Sequence, residues 1–137
     1  MAQEPHANEI LEFISQTLNC SHRVVANLMG VAPHTLSNNR EKILSDLTPR
    51  TRNRLSALYT IAVVKLGSYR PEMIYELLNT HAFTDRKGLK DSVVSALQQD
   101  KYEIEMLEQI ANMALVLYEE KRLKKLIELP NVKNLSA

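Results

Sequence analysis

One cysteine, Cys20, stands in 137 residues, so the chain forms no internal disulfide and carries no sign of an oxidising compartment. Cys20 reads as a small buried hydrophobe or an inert thiol. Only three glycines leave little material for loops that cradle phosphates. No apolar run approaches the ~20 residues that span a bilayer, and the opening MAQEPHANE lacks the apolar core of a secretory signal. The expectation is a cytoplasmic protein with no membrane contact. His6, His22, His34 and His81 are scattered without metal-ligand spacing, and no helix sets a carboxylate pair beside one of them in a recess. Cys20 and His22 sit too close together at a helix start to align as nucleophile and base. No catalytic group, metal or cofactor is therefore expected, and the chain does not read as an enzyme.

What is present is ordinary for a globular protein: 45% hydrophobic and 24% charged residues. The length suits one compact domain or a small domain with an extension. Abundant Leu, Ala, Glu, Lys and Met favour helix over strand, so the expected class is all-α. The net charge of +1 conceals an asymmetry. Residues 1–70 hold eight basic and five acidic residues, a net +3, and the remainder is −2. The basic residues are densest from Arg40 to Arg54.

Local signals divide the chain into helices. Asn8 reads as a cap for a helix with Ile10, Leu11, Phe13, Ile14 and Leu18 on one face, ending near Asn19. Ser21 opens a second helix through Leu28, and Gly30 stops it. Pro33 suits the first position of a third, running to about Asn39. Residues 40–47 are compatible with a loop or a short helix. Thr48-Pro49 starts a helix that is apolar nearly all round (Leu55, Leu58, Tyr59, Ile61, Ala62, Val63, Leu66), hence central, and Gly67 closes it. Pro71 begins another helix to Asn79, His81 to Lys90 forms a loop, and Asp91 or Ser92 caps a short helix to Gln99. The last helix, Lys101 to about Leu129, is the longest. Ile104, Leu107, Ala111, Ala114 and Tyr118 form a coiled-coil-like seam on it, with Met106, Ile110, Met113 and Leu117 as an adjacent stripe. This wide apolar face either packs on the protein's own core or forms a dimer or partner interface. The basic run from Lys121 to Lys125 is favourable to the dipole as a solvated helix end.

Two short helices around a glycine-centred turn, preceded by one helix and followed by others, make a helix-turn-helix arrangement. Ala26 is small where the helices cross closely, Gly30 permits a left-handed turn, and Val25, Val31 and Leu36 form a shared wedge. The stretch HRVVANLMGVAPHTLSNNRE thereby resembles the helix-turn-helix of the phage-repressor/Cro, or Xre, superfamily, over about residues 10–66. Ala32 and Asn39 depart from it, standing where a capping Ser or Thr and a closing apolar residue are usual. The resemblance implies double-stranded DNA as the partner, with His34, Thr35, Ser37 and Asn38 reaching base edges in the major groove. Arg23, Arg40, Lys42, Arg50, Arg52 and Arg54 would hold phosphates. The plainer alternative for the short polar residues is a surface cluster.

Residues 1–70 then form the DNA-binding region, and residues 71–137 a helical region for homodimerisation or partner binding. MIYELLNTHAF followed by KDSVVSALQQDKYEIEMLEQIA is similar to the toxin-binding region of Xre-type antitoxins, with its glycine-rich loop reduced to Gly88. Two functions compete: a DNA-binding transcriptional regulator, most simply a repressor, and an antitoxin-like or phage- or plasmid-type factor that masks a partner protein through its C-terminal helices.

Overall fold

The computed structural model describes residues 5–83, 90–100 and 102–127. Within them lie seven α-helices and one pair of two-residue strands, so the chain is all-α. Helix α1, Ala7–Leu18, begins one residue before the expected cap. Its first amides are satisfied by backbone instead of by a side chain: the Ala7 N–H donates to the Lys42 carbonyl (2.8 Å) and the Asn8 N–H to the Arg40 carbonyl (3.0 Å). Free amides at a helix start need acceptors, and the segment after α3 supplies them. Residues 40–47, ambiguous in sequence, are thus a turn, a bridge from Ile43 to His6 and a single 3-10 turn at Leu44–Asp46.

Helix α2 spans His22–Met29, with the Ser21 hydroxyl accepting from the Val24 N–H, and ends at Gly30 with φ +71°. Helix α3, Pro33–Asn38, is only six residues long, and Ala32 offers it no side-chain cap. Helix α4, Pro49–Tyr59, starts at the Thr48 cap. It does not stay α-helical to Gly67; it widens into a π-helical segment, Thr60–Lys65, where the Leu66 N–H bonds the Ile61 carbonyl at 3.0 Å. The change coincides with the β-branched cluster Thr60, Ile61, Val63 and Val64, which crowds the preceding turn. A Cβ on Gly67 would lie 2.1 Å from the Val63 carbonyl oxygen, so only glycine fits there.

Helix α5, Pro71–Asn79, leads to β1 (Ala82–Phe83), antiparallel to β2 (Lys90–Asp91). These strands are the two ends of the expected loop; its turn residues Asp85 and Gly88 lie outside the described residues. Ser92 caps α6, Val93–Gln98, accepting from the Ser95 N–H at 3.0 Å. Helix α7 is described over Ile104–Ile127; its expected end at Leu129 lies beyond.

One cluster of buried side chains runs from Ala7 in α1 to Ala114 in α7, and the boundary expected at residue 70 does not interrupt it. The α4 helix and its π-helical continuation touch α1, α2, α6 and α7, which makes them the central element, as their all-round apolar sequence implies. Of the two roles open to this wide apolar face of α7, packing on the protein's own core is the one the structure shows. Leu107, Ala111 and Ala114 are fully buried in the core of their own chain and so are closed to a second chain, while Ile104 and Tyr118 are half-buried against the same core. The small Ala111 and Ala114 are compatible with a close approach of α7 to α5 and β1, its main neighbours.

Candidate nucleic-acid interface

The α2–turn–α3 unit is held from beneath by its apolar wedge: Val25 and Ala26 are fully buried, Leu36 nearly so, and Val31 packs on the same core. With Leu36 pointing inward, the 3.6-residue period turns His34, Ser37 and Asn38 outward, and all three are exposed. Thr35 is half-buried, and its carbonyl accepts from the Asn39 side-chain amide at 2.6 Å. The Asn39 amide thus caps the end of this short helix where an apolar residue would have packed. The Ser37 hydroxyl rests on the carbonyls of Pro33 and His34 at 3.2 and 3.3 Å, a local bond it can exchange for an external one.

Beside this face a shallow depression of about 180 Å³ lies between α2 and α3, lined by His22, Arg23, Pro33, Leu36, Ser37 and Arg40. It brings Arg23, at the start of α2, and Arg40, just past α3, onto one rim with Ser37. Among the described residues no carboxylate lies within salt-bridge distance of Arg23, Arg40, Lys42 or Arg52. His22 is tied to Glu12 of α1 at 2.8 Å. Arg23 and Arg40 are therefore unpaired cations, among the described residues, on the rim beside α3.

Arg54 is not one of them. It is fully buried, and its guanidinium is spent inside the protein. Nη1 donates to the carbonyls of Met29 (2.9 Å) and Gly30 (3.1 Å), Nη2 to the Gln98 carbonyl (2.9 Å), and Nε to Asp100 Oδ1 (2.9 Å). Expected to hold a phosphate, it instead caps the C-terminal carbonyls of α2 and α6 together. Arg50 is exposed but paired with the other oxygen of Asp100 at 3.0 Å. The hydrogen bond from Arg54, joined by the charges of Arg54 and Arg50, holds the Asp100 carboxyl below its usual range against the opposing effect of desolvation.

Gln98 adds a further clasp, its side-chain amide donating to the Asn27 carbonyl at 2.9 Å. Nothing near residues 27–30 in the sequence announces Gln98 and Asp100; the contacts span roughly 45 to 70 positions and exist only once α6 is packed. A wider depression of about 660 Å³ lies beside this clasp, lined by Arg50, Asn53, Ser56, Thr60, Asp100 and Tyr102 among others. Its one arginine is already neutralised by Asp100. Cys20 is half-buried and burial pushes its thiol pKa up, as befits an inert thiol. Comparison of the chain with family models, with curated proteins and with solved structures returned no match.

Proposed function

We propose that the protein is a DNA-binding regulator of the phage-repressor type, most simply a repressor, that lays the outward face of α3 in the major groove. The observation that carries this reading is the placement of Arg23 and Arg40 on the rim of one depression beside exposed His34, Ser37 and Asn38, with no described carboxylate neutralising either arginine. Arginines on a rim beside a polar helix suit the backbone phosphates that flank a groove, while Asn38 supplies the donor–acceptor pair that reads adenine. Arg52 and Lys42, which have no carboxylate partner among the described residues, remain further candidates for phosphate contact; Arg50 joins them only by leaving Asp100; Arg54 takes no part. A two-fold site on DNA asks for two copies, which the buried seam of α7 cannot join.

The test is selection from a random duplex pool at two salt concentrations. The expected outcome is an enriched motif whose affinity falls as salt rises. The double variant R23A/R40A should flatten the log–log salt slope by roughly 2, at ~0.9 per phosphate released. The double variant S37A/N38A should leave the slope nearly unchanged and blur the motif. Failure to enrich any motif at low salt would sink the proposal and favour the competing reading, a factor that masks a partner protein through residues 71–129.

A further inference from the structure

Six of the ten large apolar side chains exposed among the described residues lie on one stretch of one helix, Met113, Val116, Leu117, Leu123, Leu126 and Ile127 of α7. Scattered exposed apolar residues need no explanation, but a contiguous stripe does. Met113, Val116, Glu120, Leu123 and Ile127 alternate spacings of three and four, the rhythm of a coiled-coil seam. At 3.6 residues per turn they project from the side of α7 opposite Leu107, Ala111, Ala114 and Tyr118, which face the core. Helix α7 thus has two apolar sides, and only the inner one is covered.

The charges along the outer side identify its occupant. Glu119 is bonded by Arg122 of the same helix at 3.0 Å, and Lys121 reaches Glu76 of α5 at 3.9 Å. Glu120 and Lys124, beside or within the outer seam, have no partner among the described residues. They are of opposite sign and one turn apart. An antiparallel copy of the same helix brings the two together, whereas a parallel copy stacks Glu120 on Glu120 in the middle of the seam, where like charges repel.

We propose that the outer seam of α7 pairs with the same seam of a second copy of this chain, antiparallel. Val116 of each copy packs on Ile127 of the other, and Glu120 of each lies beside Leu123 and Lys124 of the other. The seam from Met113 to Ile127 is roughly 20 Å long, short for a dimer interface, which places the pairing among weak, concentration-dependent associations. This pairing supplies the second copy that the DNA-binding reading asks for. It rests on α7 alone, and its test contains no DNA, so either idea can fail without the other.

Sedimentation of the full chain from roughly 1 to 200 µM should show the mean mass rising toward twice the monomer. Leu123→Lys, which changes only an exposed side chain, should keep the wild-type circular dichroism and melting temperature and remain monomeric throughout. Glu120→Leu should tighten association about tenfold by completing the seam. A monomeric mass for the wild type over the whole range overturns the proposal, whatever E120L does. Orientation is read by cysteine pairing in a Cys20→Ser background. V116C mixed with I127C should form the mixed disulfide under mild oxidant, and a predominance of V116C joined to V116C would overturn the antiparallel arrangement.

Discussion

Arg54 shows how residue type and burial together decide a role. An arginine in a basic run is ordinarily a surface cation, yet this one uses four of its five N–H donors on internal acceptors. Three carbonyls and a carboxylate converge on it because a planar fork matches several acceptors at once, which a lysine ammonium does not. Arg54→Ala should cost about 3–5 kcal/mol in urea unfolding, since it strands buried carbonyls together with Asp100, and Arg54→Lys should recover only a minor part. Asp100 contributes a pH dependence of definite sign. Its carboxyl titrates lower in the folded chain than in the unfolded one, so its stabilisation is present above the ordinary carboxylate range and is lost as pH falls through the folded value. Asp100→Asn should be less stable than wild type at neutral pH, and the gap should narrow as the solution is acidified. A gap that widens in acid would contradict the pairing.

The helix starts were legible element by element, because a cap acts within a few residues of itself. Ser21, Pro33, Thr48-Pro49, Pro71 and Ser92 each stand where a helix begins. Where the structure departs from expectation, the deciding contact is distant or depends on packing: the acceptors for α1 come from residues 40 and 42, and α4 widens at a crowded β-branched cluster. The turn between α2 and α3 has both kinds of constraint. Gly30 is left-handed, and a Cβ there would lie 2.7 Å from Cγ of Gln98. Gly30→Ala should therefore lose about 1–2 kcal/mol from backbone conformation alone, with more from displacing Gln98, read as a lowered unfolding midpoint. Ala32→Ser runs the other way. Supplying the missing cap of α3 should raise stability by about 1 kcal/mol without altering the outward face of the helix.

At the scale of the whole molecule, the resemblance to a free-standing repressor domain and the observed packing diverge. Leu58, Ile61 and Ala62 belong to the same buried cluster as Ile74, Leu77, Leu97 and Ile110, and Arg54 bonds across it to Gln98 and Asp100. A fragment of residues 1–70 would expose that apolar surface and leave Arg54 without two of its acceptors. It should show no cooperative thermal transition by circular dichroism, while the full chain should unfold in one step. A cooperative transition in the fragment would show that the front half carries its own core. The same coupling ties residues 90–100 to the turn between α2 and α3 through Gln98 and Arg54, so if the proposed DNA-binding reading holds, Gln98→Ala should change affinity for the selected duplex without removing a DNA contact.

The sequence by itself determined the helical class, the positions where most helices begin, the left-handed turn at Gly30 and the short polar side chains of α3. All of these follow from interactions within a turn or two of the chain, where spacing and residue type suffice. Only the tertiary structure decided that Arg54 is internal, that Arg50 is paired, and that the seam through Leu107 and Ala114 is core while the outer face of α7 stays open. Those outcomes depend on which carbonyls and apolar surfaces distant segments bring to the same place, and periodicity along a helix marks a face as apolar without naming what covers it.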